Sequence, residues 1–150
     1  MVVLGTAAGV RMWVTSRSER KRSEALELGA DQAFESDVRL PERVDAVMET
    51  VGRATWSHSV RSLKPGGTIV VSGATTGDSP SAELRRMFFL QLSVIGSTMG
   101  TREELERLIR LCVEKDVHPA IDDVLSLGEA RQGFEAMLAG EVVGKIVFTP

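Results

Sequence analysis

The chain has 150 residues, 43% hydrophobic and 26% charged, with a formal net charge of -3. That is one ordinary domain, or one with a small appendage, and enough apolar content for a core. The negative balance argues against a nucleic-acid binder held by bulk electrostatics, and no apolar run approaches the length of a membrane span or signal peptide; the single cysteine excludes an internal disulfide framework, so a reducing, cytoplasmic setting is expected.

The first nine residues, MVVLGTAAG, admit two readings. A strand followed by a glycine-containing loop would suggest a phosphate-binding turn. Geometry rejects it, because a parallel crossover needs about a dozen residues or more and the next apolar run begins at Val10. The stretch is read instead as the tail of a helix closed by Gly9 as its left-handed cap, so the chain is expected to begin inside a βαβ unit.

Next comes VRMWVTSRSERKR, from Val10 to Arg22. Its apolar run stops at Thr15, Ser16 and Arg17, and a charged helical pattern follows at once, as where a parallel strand hands over to a helix. In doubly wound nucleotide-binding sheets the end of the second strand meets the adenosine ribose, and an Asp or Glu there hydrogen-bonds the 2′-hydroxyl of NAD. Here Ser16 and Arg17 stand in place of the acid, with Lys21 one helical turn further on. The local field suits a 2′-phosphate, and so NADP(H) over NAD(H); the other reading is a solvated, basic first turn.

Ser18 is placed to cap a helix over residues 19–28, which Gly29 ends. Residues 30–34 read as a brief strand and 35–43 as a polar loop. A strand and sharp exit over 44–52 lead to a helix over 54–63, a Lys64-Pro65-Gly66-Gly67 turn and a strand over 68–72. A helix over 80–90 and a strand over 92–95 complete a rhythm in which the strand starts at Val44, Thr68 and Leu92 are 24 residues apart. That spacing suits successive strand-helix units and a parallel sheet. Thr101 and Glu104 form a capping box before Leu105, Leu108, Ile109 and Cys112, which recur at helical spacing and make Cys112 a core thiol. The remainder reads as strand over 120–127, helix over 129–139 and strand over 145–149.

In order and spacing, VTSRSERKR, LELGAD, VDAVMETVG, LKPGGTIVVSGATTG, LSVIGSTMGT and GEVVGKIVFTP resemble the coenzyme-binding and C-terminal part of the medium-chain dehydrogenase/reductases, particularly their zinc-binding dehydrogenase and quinone-oxidoreductase branch. The resemblance implies an α/β fold: a truncated, Rossmann-like doubly wound parallel sheet without its first strand and glycine-rich turn, followed by a C-terminal β-α-β appendage. It makes residues 1–117 a partial NADP(H)-binding domain and 118–150 a segment that in the family returns to the catalytic domain. By resemblance, Ser16, Arg17 and Lys21 would hold the 2′-phosphate, Val51 and Gly52 would lie near the adenine, and Ser72, Gly73, Ala74, Gly96 and Ser97 would approach the nicotinamide; ordinary turn chemistry is the competing reading for the glycines. Lys145 lies near the cofactor in some such enzymes and is equally a solvated strand-start lysine.

The departures from the family are substantial. The glycine-rich turn that receives the pyrophosphate is missing, as is the amino-terminal domain that supplies zinc ligands and much of the substrate pocket. His58, His118 and Cys112 show no ligand spacing to replace it, so no metal is expected on this chain. In the strand order 3-2-1-4-5-6 the missing strand is central, and its absence should leave the strands at Val10 and Val44 with unpaired edges. The expected origin is the downstream part of an interrupted or misassigned reading frame. Two function classes follow: the cofactor half of an NADP(H)-dependent oxidoreductase acting on a carbonyl, quinone or enone, or a non-catalytic remnant or pairing module whose edge strand at Leu92 to Ile95 would add to a like strand in a partner, as a homodimer or with another chain. A methyltransferase-type sheet is weaker, since it would want an acidic strand end.

Overall fold

The computed structural model describes residues 1–150. Its elements in chain order are α1 (Val2–Ala7), β1 (Trp13–Thr15), α2 (Glu19–Glu27), β2 (Gln32–Phe34), β3 (Val44–Glu49), α3 (Trp56–Ser62), β4 (Leu63–Val71), α4 (Leu84–Phe89), β5 (Ser93–Gly96), α5 (Arg102–Glu114), β6 (Ile121–Ser126), a 3-10 turn (Leu127–Glu129), α6 (Ala130–Ala139) and β7 (Lys145–Thr149). They form two compact units, residues 1–33 with 102–150, and residues 34–101.

In the first unit, α1 closes as its glycine demands. Gly9 sits at φ 75°, its N–H donates to the Thr6 carbonyl and the Val10 N–H reaches back to Gly5, each at 2.9 Å. Val10 is thereby used in ending the helix, so β1 starts at Trp13 and not at Val10 as expected. The same closure ends α2, where Gly29 lies at φ 99° and the Ala30 N–H donates to the Ala25 carbonyl at 2.9 Å. The acid of the LELGAD motif then sets the strand pair: Asp31 donates its N–H to the Met12 carbonyl at 2.8 Å and accepts the Met12 N–H at 2.7 Å. β1 and β2 pair beyond that clamp.

Further along the same unit, β6 and β7 run parallel, from Ile121 opposite Lys145 to Ser126 opposite Thr149, with α6 in the crossover. Gly133 of α6 is buried where an added Cβ would come within 2.7 Å of the Phe148 ring, which lets helix and strand pack closely. An unanticipated capping box opens this crossover. The Ser126 hydroxyl and N–H donate to the Glu129 carboxylate at 2.7 and 3.0 Å, and Glu129 accordingly titrates below its ordinary value.

α5 departs from expectation. Its apolar stripe has helical spacing, yet no residue of the helix is buried, and Cys112 is half-buried where a core thiol was expected. Amphipathicity selects the helix and its face. It does not supply a partner for that face.

The second unit is a three-stranded parallel sheet in the order β3-β4-β5. Val60 and Leu63, at the end of α3 and start of β4, meet Ile69 in a small core of fully buried side chains, against which Val44, Val47, Trp56, Val71, Met87 and Leu92 pack. The expected Lys64–Gly67 turn is present, but as a bulge inside one long strand. Pairing steps from Val44 opposite Leu63 to Ala46 opposite Thr68, and Lys64 bridges to Asp45 at 2.9 Å. The expected helix over 80–90 is shorter, because Glu83 takes a left-handed backbone at φ 46° that a right-handed helix cannot continue through, leaving α4 to start at Leu84.

β1 is an edge of its two-stranded sheet and β3 an edge of its three-stranded one. No helix is long and apolar enough to cross a membrane.

Candidate functional site

At the end of β1 the basic residues divide into three roles. Ser16 accepts the Ser18 N–H on its hydroxyl at 3.2 Å, and its carbonyl accepts the Arg22 guanidinium at 2.7 Å. Ser18 caps α2 by accepting the Lys21 N–H. The turn carrying Ser16 and Arg17 is thus fixed from both sides by groups of its own helix. The Lys21 ammonium donates to the Val142 carbonyl at 2.9 Å, and Arg20 bonds Glu24 at 2.6 Å and also the Glu141 carbonyl. Arg17 is exposed and makes no hydrogen bond or ion pair. Of the two cations the sequence singled out, Lys21 is engaged within the unit and Arg17 is open to an anion. Arg22, which sequence reasoning passed over, shapes the turn.

The remaining candidate residues lie at the carboxyl ends of β3, β4 and β5. Register puts Glu49 opposite Val71, and Val71 opposite Gly96, so the segments after them leave the sheet side by side. Val51 and Gly52 follow β3, Ser72, Gly73 and Ala74 follow β4, and Ser97 follows β5 with its N–H on the Val71 carbonyl at 2.8 Å. Ser72, Ala74, Gly96 and Ser97 are exposed at these strand ends. Gly52 is buried at φ 90°, and a Cβ there would stand 2.4 Å from the Gly77 carbonyl oxygen. Glycine is required at that position both for its conformation and for the close approach of two loops.

Among these loops lies a group that sequence reasoning missed. Glu49, the last residue of β3, is 3% exposed. Its Oε1 accepts the Val51 N–H at 2.8 Å, the Gly52 N–H at 3.0 Å and the Thr55 hydroxyl at 2.8 Å, and its Oε2 accepts the Ser59 hydroxyl at 2.5 Å. Burial pushes its pKa up, but the Ser59 hydroxyl, the Gly52 and Val51 amides and the Thr55 hydroxyl together outweigh that and hold it below the ordinary carboxylate value. The signal was available: an acid ending an apolar strand, then Thr55 and Ser59 four residues apart on one face of the following helix.

No group of three or more His, Cys, Asp or Glu side chains converges as metal ligands. His58 is turned to the Val38 carbonyl at 2.8 Å and His118 to Asp116 at 3.0 Å.

Residues 2–114 match the family model described as zinc-binding dehydrogenase. The chain belongs to the zinc-binding dehydrogenase family. Among its relatives, the acryloyl-coenzyme A reductase of Metallosphaera sedula is 30% identical over 110 residues, which is 72% of this chain and 33% of that protein. The NADP-dependent alcohol dehydrogenase 6 of Saccharomyces cerevisiae is 28% identical over 151 residues, 93% of this chain and 41% of that one. A solved structure, the thermostable alcohol dehydrogenase from Pyrobaculum aerophilum, superposes with a TM-score of 0.87 at 30% identity, covering 99% of this chain and 45% of the other. The chain spans less than half the length of these relatives. In this family the fold is the Rossmann-like nucleotide-binding domain, and the mixed α/β architecture with parallel pairs agrees with it.

Proposed function

We propose that the chain is the cofactor-binding portion of an NADP(H)-dependent oxidoreductase that passes hydride to or from a carbonyl, quinone or enone. The observation that carries this reading is the unpaired Arg17 guanidinium beside Ser16, on a braced turn where an NAD site would present an acid. The yeast relative named as NADP-dependent supports it. Arg17, Ser16 and Lys21 would hold the 2′-phosphate, Lys21 exchanging its bond to the Val142 carbonyl for a charge-assisted one. Val51 and Gly52 would border the adenine, while Ser72, Gly73, Ala74, Gly96 and Ser97 would orient the nicotinamide through backbone groups. When bound, the nicotinamide supplies the hydride chemistry, and these residues contribute orientation and electrostatics. Residues 118–150 would complete the catalytic domain, as in the family, and the single cysteine suits a reducing, cytoplasmic compartment.

Titration of the purified chain with NADPH and NADH, followed by nicotinamide fluorescence, tests the proposal. Saturable NADPH binding, weaker for NADH and weakened by Arg17→Ala, is expected. Absence of NADPH binding contradicts it.

A second reading has its own observation. All four residues of β5 are exposed, and the strand is the sheet's outer edge, so a like strand could add there and make the chain a pairing module without turnover. A concentration-dependent dimer that fails to bind either nucleotide would favour this reading.

A further inference from the structure

The four donors around Glu49 do more than neutralise a buried charge. The Val51 and Gly52 amides and the Thr55 hydroxyl converge on Oε1 and the Ser59 hydroxyl on Oε2, and hydrogen bonds donated to a carboxylate favour its ionised form. The same residue links to the neighbouring loop, because its backbone carbonyl accepts the Ser72 N–H at 2.9 Å. Val51, once fixed by Glu49, presents its carbonyl to Thr76, and the Arg53 N–H donates to Gly77 at 3.0 Å. One buried carboxylate therefore anchors the exit of β3 directly and the exit of β4 through it. None of its hydrogen-bond partners is charged. Of the other ionisable side chains on β3 and α3, Asp45 is engaged with Lys64, His58 with the Val38 carbonyl and Arg61 with Asp37, and Arg53 of the loop between them lies beside Gly77.

We infer that Glu49 is the positioning residue of the nucleotide-facing loops, holding residues 50–56 and 72–77 in their binding geometry while touching no ligand itself. This rests on the proposed nucleotide reading of those loops. The side chain acts by withholding freedom from Val51 and Gly52, so that the ordering cost is met on folding and not on binding.

The test uses the full chain and its Glu49→Gln variant. The amide keeps the shape and removes the charge: the Val51 and Gly52 amides and the Thr55 hydroxyl are left on a neutral carbonyl oxygen, and the Ser59 hydroxyl must turn from donor to acceptor. Two quantities are read: hydrogen-exchange protection of residues 50–56 and 72–77, and the NADPH dissociation constant. Loss of protection in both segments is expected, with an NADPH dissociation constant raised about tenfold or more, on the scale of a charge-assisted hydrogen bond, and an unchanged preference for NADPH over NADH, since Arg17 is untouched. In the unsubstituted chain, protection of these segments should fall as pH drops below the ordinary value of 4.5, whereas in Glu49→Gln it should show no such step. A general structural defect would not remove a titration step.

If Glu49→Gln does not fold, Ser59→Ala removes one donor and should give the same changes at smaller size. Wild-type protection and affinity in whichever variant folds overturns the inference while leaving the nucleotide reading intact. Loss of protection in the variant, together with no NADPH binding by the unsubstituted chain, overturns the nucleotide reading alone.

Discussion

Thr76 donates to the Val51 carbonyl twice, from its N–H and from its hydroxyl, each at 2.8 Å. The hydroxyl oxygen also accepts the Ala54 N–H at 3.0 Å. One side chain thus joins the loops that leave β3 and β4. Thr76→Val, which keeps the shape and deletes the hydroxyl, should lower stability by about 1 kcal/mol and leave the Ala54 amide exchanging faster. Urea denaturation and amide exchange check this; unchanged values would show that the two loops are held without it.

Gly52→Ala should be far more costly. The added methyl enters a left-handed backbone and meets the Gly77 carbonyl oxygen at 2.4 Å, a backbone atom that cannot rotate away. Strained backbone alone costs of order 1–3 kcal/mol, and the clash adds to it. The midpoint of chemical denaturation should fall accordingly, and any nucleotide binding should weaken with it.

Stability should depend on pH through Glu49. Its folded pKa lies below the ordinary 4.5, so its contribution is complete above that value and is lost as pH falls through the lowered folded value. Denaturation of the unsubstituted chain should therefore become easier on acidification below about 4.5, and Glu49→Gln should be less stable at neutral pH but lose less on acidification. A parallel loss in both proteins would assign the acid sensitivity to other carboxylates.

Packing differs between the small core and the amphipathic helix. Ile69→Ala, at a fully buried position, should cost about 2–5 kcal/mol. Val113 is 77% exposed and Leu105 55%, so serine at either position should change stability by no more than about 0.5 kcal/mol. A cost at Val113 or Leu105 comparable with Ile69→Ala would mean that α5 is covered in solution.

Much of this architecture was legible in the residues. Gly9 and Gly29 end helices because only glycine takes the left-handed cap cheaply, and the parallel rhythm at Val44, Thr68 and Leu92 reflects the length a strand-helix unit needs. What periodicity could not give was conformation at single residues, such as Glu83, or whether an apolar stripe finds a partner, as on α5. Nor could charge pattern separate Arg17 from Lys21 and Arg22, because which cation is left open depends on carbonyls brought near by the fold, Val142 for Lys21 and Ser16 for Arg22. Glu49 was hidden for a similar reason: a carboxylate at a strand end reads as solvated until its four donors are seen around it.

The central claim is that Arg17 and its neighbours select an extra phosphate on the adenosine ribose. Calorimetric titration with adenosine 2′,5′-bisphosphate and with adenosine 5′-monophosphate tests it without the nicotinamide. Tighter binding of the bisphosphate, by about ten- to a hundredfold and largely abolished by Arg17→Ala, is the predicted result. Equal affinity for the two, or a preference that survives Arg17→Ala, would contradict it.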